Sequence, residues 1–203
     1  MKTTCKVIVF AKAPVAGFAK TRLARVIGNQ AAANLAARML SETVAQAVAA
    51  KLGPVELCCT PDISHAQFLR EQETHNLVLS SQGEGDLGQR MCRAFERALQ
   101  EYPRVLLIGT DAPDLQASQL IEAAHALSGH GAVFAPAHDG GYVLIGLSHA
   151  MPSLFEGIAW STSQVMAQTR SKLAAIGESY FELPALYDID EAADLVHVPA
   201  SWL

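Results

Sequence analysis

The 203-residue chain is sparing with cysteine, with long apolar runs and, in its first stretch, with acid. Its four cysteines, Cys5, Cys58, Cys59 and Cys92, form no CxxC pair, and three lie in or beside apolar strand-like runs. That pattern argues for buried reduced thiols rather than a metal site or redox pair. The apolar run near the start, Val7-Ile8-Val9-Phe10-Ala11, is about five residues long, short of the roughly seven to fifteen of a signal-peptide core. No run approaches the roughly 18 to 20 apolar residues of a membrane-spanning helix. A soluble, cytoplasmic protein without a membrane partner is expected. There is no G-x-S-x-G nucleophile elbow, and the loop after the first strand has neither a Walker A arrangement nor a dinucleotide fingerprint, which disfavours a hydrolase or a dehydrogenase.

Half of the residues are apolar and 17% are charged, which fits a compact globule with a large core and excludes disorder. The 34 alanines suggest closely packed helices. A net charge of −5 argues against a protein that coats nucleic acid. The sum conceals a segregation. Residues 1–25 hold six Lys/Arg and no Asp/Glu, residues 26–104 hold seven against nine, and residues 105–203 hold two against eleven. Cations at one end and carboxylates at the other, within one domain, suggest a site where anions and a cation meet.

Cys5 to Phe10 reads as a buried strand, and Asn29 to Leu52 as a helix with Leu35, Met39, Leu40, Val44 and Val48 at steps near four, ended by Gly53-Pro54. The order continues with strand 55–60, helix 64–73, strand 77–79, helix 89–100, strand 105–109, helix 116–127, strands 132–135 and 142–147, helix 162–176, strand 179–183 and a final helical turn at 191–196. Alternation of strands and helices predicts a mostly parallel sheet with helices on both faces, in a single domain spanning residues 1–203.

Ligands of such sheets bind beyond the carboxyl ends of the strands, so the loops there carry the chemistry. After the first strand, Lys12, Pro14, Gly17, Lys20, Thr21 and Arg22 bring three cations, a glycine and a hydroxyl to a point where a helix can begin, which suits a phosphate chain. Gly109-Thr110-Asp111 follows the most apolar strand, making Asp111 a candidate ligand for a hard metal or for substrate, while Asp114 suits a helix cap. Asp139-Gly140-Gly141-Tyr142 follows another strand. It reads equally as a loop whose amides approach a ligand and as a hairpin turn. Asp188 and Asp190 share a side if their segment is extended, offering two carboxylates to one cation, with a helix N-cap at Asp190 as a second reading. Gly88, Gln89 and Arg90 open a helix and could give amides or a guanidinium to a nucleotide. Trp160, with Ser161 and Thr162, could stack on a sugar or close the core.

Taken in order, several pieces match one family across nearly the whole chain. They are Phe10-Ala11-Lys12-Ala13-Pro14 with Gly17 and Lys20-Thr21-Arg22-Leu23, then Gly109 to Leu115, then Asp139-Gly140-Gly141-Tyr142 with Leu144-Ile145-Gly146-Leu147. Trp160-Ser161-Thr162 and Asp188-Ile189-Asp190 complete the set. The sequence resembles the glycosyltransferase-like family of nucleotide-diphospho-sugar transferases, earlier described only as a domain of unknown function and related to the 2-phospholactate and molybdenum-cofactor guanylyltransferases. The resemblance implies a three-layer α/β/α fold of the GT-A type and a first loop that holds nucleotide phosphates, with Thr110 beside it. Asp111 would hold Mg²⁺ or Mn²⁺ with an aspartate of the Asp188/Asp190 pair. Residues 139–142 and 160–162 would face the non-nucleotide substrate. The longer Gly-x-Gly-Thr-Arg loop of related pyrophosphorylases is missing.

The expected activity is metal-dependent transfer from a nucleotide-sugar to a small-molecule acceptor, with Asp111 and Asp139 as catalytic residues, the latter as base or acceptor anchor. The alternatives are nucleotidyl transfer from a triphosphate to a phosphorylated small molecule, and a non-catalytic nucleotide-binding module. Whether the chain forms a homodimer is left open.

Overall fold

The computed structural model describes residues 4–202. Seven strands form one sheet in the order β3-β2-β1-β4-β6-β5-β7. They are β1 (Lys6–Lys12), β2 (Val55–Thr60), β3 (Val78–Ser81), β4 (Val105–Ile108), β5 (Ala132–Pro136), β6 (Tyr142–Leu147) and β7 (Tyr180–Glu182). β1 pairs in parallel with β2 and β4, β2 with β3, and β5 with β7, while β6 runs antiparallel between β4 and β5. The mostly parallel α/β expectation holds, with this single reversal.

Side chains of β1 alternate between two buried layers because both faces of the sheet are covered. Val7, Val9 and Ala11 face a cluster with Leu40, Val44, Phe68 and Leu120, from α2 (Asn29–Ala49), α3 (Ala66–His75) and α5 (Ala117–Ala126). Ile8 and Phe10 face Met91, Phe95, Met166 and Leu173, from α4 (Leu87–Leu99) and α6 (Val165–Ile176). A third cluster joins Leu23 of α1 (Thr21–Ile27) and Leu35 and Met39 of α2 to Ile189 and Val198. It fastens the C-terminal segment over the cationic loop. The cysteines are free, three of them buried.

Several boundaries move for local reasons. The helix expected from Ser64 begins at Ala66, because Ser64 is held by Asp62 and the ring of His65 accepts from the Gln67 amide instead. The helix expected from Thr162 begins at Val165, since the Thr162 hydroxyl bonds the Ala159 carbonyl in a preceding turn. Asp114 does not cap α5. Gln116 does, with its amide bonded to the Gln119 side chain at 2.8 Å. Nor does Asp190 cap the 3₁₀ turn Ala192–His197; Glu191 does, with Asp194 accepting from the amides of both.

Candidate active site

The carboxyl ends of β1 to β5 and the start of the reversed β6 surround a cavity of about 600 Å³. Because β6 is antiparallel, its first residue reaches the edge where its neighbours present their last.

In the loop after β1, Gly17 (φ +81°) turns the chain, and the Lys12 ammonium donates to the Phe18 carbonyl at 2.8 Å. Lys20 then adopts a left-handed backbone conformation (φ 47°, ψ 48°) as the N-cap of α1. This sparsely populated geometry for a side-chain-bearing residue is characteristic of functional sites. Its side chain is 6% exposed, and the ammonium lies 2.5 Å from the Ile189 carbonyl, 2.7 Å from Asp111 Oδ1 and 4.0 Å from Asp190 Oδ1. Arg22 pairs with Asp190 Oδ2 at 3.0 Å and Glu191 at 3.2 Å. The cationic loop and the acidic C-terminal segment therefore meet directly.

Beyond β4, the Asp111 carbonyl accepts from the Ile189 amide at 2.8 Å, tying residues 188–190 to this strand end. Beyond β5, Asp139 Oδ1 accepts from the Gly141 amide at 2.7 Å, and the segment closes as a hairpin through the Ala137 and Gly141 backbone. Burial pushes the Asp188 carboxyl up, reinforced by the negative charge of Asp139 and, less strongly, of Asp111 and Asp194. Burial likewise raises the Tyr142 hydroxyl, whose ring meets Phe134 and Trp160 edge-on. Tyr187 is stacked between His138 (4.1 Å) and His197 (3.6 Å), holding the Asp139 loop against the C-terminal segment.

Of the residues singled out in the sequence, Lys12, Lys20, Thr21, Arg22, Thr110, Asp111, Asp139, Gly141, Tyr142, Trp160, Ser161, Thr162, Asp188 and Asp190 all line this cavity. Six others do not. Pro14 and Gly17 shape the first loop from outside. Gly140 (φ +93°) is structural, for a Cβ there would collide with the Ser163 carbonyl. Gly88 lets α4 approach Trp160. The Gln89 side chain is spent on the Asp86 amide in a capping box, and Arg90 bonds the Gly85 carbonyl.

One spacing was passed over. Gly83-Glu84-Gly85-Asp86-Leu87-Gly88 follows β3 and opens α4 with the G-x-G-x-x-G pattern. Here the helix N-terminus is closed by the chain's own carboxylate, since Asp86 accepts from the Gln89 amide at 2.8 Å. This leaves the loop to shape the cavity wall rather than to cradle phosphate. Gln82 and Leu87, with Phe18 opposite, line the cavity and were not foreseen. Apolar residues such as Leu87 and Phe18 carry no signal that separates a cavity wall from core, and Gln82, whose amide donates to the Ala11 and Cys58 carbonyls, has the uncharged side chain of many loop residues.

For a divalent cation, the relevant donors are the oxygens of Asp111, Asp139 and Asp188. Among the described residues no group of three His, Cys, Asp or Glu side chains converges closely enough to hold an ion alone. Mg²⁺ bound through one or two carboxylates plus substrate phosphates needs no such group. The Lys20 ammonium already sits among oxygens as a cation would, and among the described residues Asp188 takes part in no ion pair, so the donor set fits a hard cation.

The geometry and topology define a protein with the nucleotide-diphospho-sugar transferase fold. The chain belongs to the family described as "Uncharacterized protein conserved in bacteria (DUF2064)", whose sequence profile matches residues 43–162. Among solved structures it is similar to a candidate nucleotide-diphospho-sugar transferase from Desulfovibrio desulfuricans, with 31% identity, 96% of this chain and 85% of that one covered, and a TM-score of 0.85. The fold is shared with 4-diphosphocytidyl-2C-methyl-D-erythritol synthase from Anaerococcus prevotii (11% identity, 99% of both chains, TM-score 0.66). A cytidylyltransferase from Leptospira borgpetersenii shares it too (14% identity, 100% and 90% covered, TM-score 0.60). A search of curated proteins gives no match.

Proposed function

We propose that this protein is a transferase that takes a nucleotide-sugar as donor and passes the sugar to a small-molecule acceptor. The observation that carries the reading is the meeting of Lys12, Lys20 and Arg22 with Asp111, Asp139 and Asp188 around one cavity at the carboxyl edge of the sheet. The cations suit a diphosphate, and the carboxylates that meet them suit a hard cation bound to it. The 31%-identical relative, named for nucleotide-diphospho-sugar transfer, supports the same class.

In this reading Lys12, Lys20 and Arg22 bind the diphosphate and stabilise the charge it gains as the sugar–oxygen bond breaks. Asp111 and Asp188 would hold Mg²⁺ or Mn²⁺, which supplies further stabilisation of that leaving group. Asp139, with one oxygen fixed by the Gly141 amide and the other free, orients the acceptor hydroxyl or takes its proton. Tyr142 and Trp160 give the transferred group an aromatic wall. Incubation with nucleotide-sugars, Mg²⁺ and candidate acceptors is expected to release a nucleoside diphosphate. Release of pyrophosphate from triphosphates with sugar phosphates would instead assign nucleotidyl transfer. Nucleotide binding equally strong in EDTA and in Asp111→Ala, without turnover, would mean a binding module.

A further inference from the structure

The Lys20 ammonium sits among the Ile189 carbonyl and the carboxylates of Asp111 and Asp190. It is almost wholly buried, it bonds the Ile189 carbonyl, and at 2.7 Å it takes up one carboxylate oxygen of Asp111. The left-handed backbone at position 20 aims the side chain inward, and the third hydrophobic cluster holds residues 188–190 over it. Arg22 pairs with Asp190 nearer the surface, so two of the site's carboxylates carry internal counter-ions while, among the described residues, Asp139 and Asp188 carry none. A divalent cation approaching Asp111 therefore meets an ammonium in close contact. Phosphate oxygens entering beside Lys12 and Arg22 offer that ammonium another anionic partner.

We propose that Lys20 is a displaceable counter-ion that couples the two ligands: it weakens cation binding to Asp111 while the site lacks phosphate, and releases Asp111 when a diphosphate draws it away. The inference rests on the metal-dependent reading above and adds an order to it, the cation binding well only with or after the phosphates. By linkage the cation must in turn favour phosphate binding by the same factor. Lys20 thus acts on the cation through Asp111, besides its contact with the diphosphate.

The test is titration of the full chain with Mn²⁺ alone, following free Mn²⁺ by electron paramagnetic resonance. The chains are the unsubstituted protein, Lys20→Gln, which keeps a donor for the Ile189 carbonyl, and Lys20→Met as a second neutral variant, each checked for folding by circular dichroism. Both neutral variants are expected to bind Mn²⁺ about tenfold tighter than the unsubstituted chain, within the usual range of coupling between sites. Adding Asp188→Asn to Lys20→Gln should abolish the gain. Equal Mn²⁺ affinity with and without the lysine charge overturns the counter-ion role while leaving the metal site standing. Absence of site-specific Mn²⁺ binding in every chain, including with pyrophosphate present, overturns the metal reading and this inference with it.

Discussion

Asp188 is the site carboxylate that burial and neighbouring negative charge press hardest toward its protonated form. Burial and the charges of Asp139 and Asp111 hold its folded value above the usual 3.8. For an acid whose folded value is raised, the ionised form costs stability above that range, and the cost fades as pH falls and the group takes up its proton. Asp188→Asn is therefore expected to melt at a higher temperature than the unsubstituted chain at neutral pH in EDTA. The difference should shrink toward pH ~4, and metal-dependent turnover should be lost. Paired melting curves across pH, with activity assays alongside, check both halves. A variant that is no more stable at pH 7 would mean that the charge is already neutralised in the folded protein. Such a trade of stability for function is common where like charges are gathered for a ligand. The residue types were legible in the sequence because charged side chains after apolar strands are conspicuous. Which charges pair with which was not, since the contact of Lys20 with Ile189 spans 169 positions.

The elements were legible where composition alone dictates them. β2 lies between Gly53-Pro54 and Pro61, and its β-branched and cysteine-rich run matches the expected 55–60 without a shift. The sequence allowed a helix to begin after the cationic loop but did not show the extent of α1, because its N-cap is Lys20, with no Ser, Thr, Asp or Asn to announce it. The reversal of β6 was hidden because a strand buried on both faces reads alike in either direction; only Asp-Gly-Gly hinted at a hairpin. At α4 the sequence suggested a phosphate-facing helix start, and the helix instead uses Gly88 to press against its neighbours. A Cβ at position 88 would lie 2.6 Å from both the Phe155 carbonyl and the Trp160 ring nitrogen. Gly88→Ala is expected to destabilise the protein by about 1–3 kcal/mol, the usual cost of overfilling a packed contact. It should also weaken ligand binding, because Trp160 lines the cavity and must move. Urea unfolding reads the first effect and calorimetric binding the second. Unchanged stability would show that α4 and the Trp160 loop part without cost.

At the scale of the molecule, the cations of the site come from the first 22 residues and its carboxylates from the second half of the chain, and only the fold joins them. The net charge of −5 thus says little about the surface a ligand meets. A nucleotide-sugar that fits this cavity should stabilise the whole protein, by about 2.7 kcal/mol at one hundred times its dissociation constant. The gain should be larger with Mg²⁺ than with EDTA. Thermal shifts across a panel of nucleotides and nucleotide-sugars measure it, and a uniform response with and without metal would count against cooperation between the cations and the carboxylates. The strand register has another consequence. β1 pairs with β2 early in the chain, whereas its other edge waits for β4 at residues 105–108. The sheet is finished by β7 at residue 182, before Asp188, Ile189 and Asp190 have been made. During synthesis the scaffold is therefore complete before the chemistry is. A chain cut directly after β7 would keep every strand paired and lack Asp188, Ile189 and Asp190, so such a cut removes site residues without opening the strand edges that make incomplete sheets prone to aggregation.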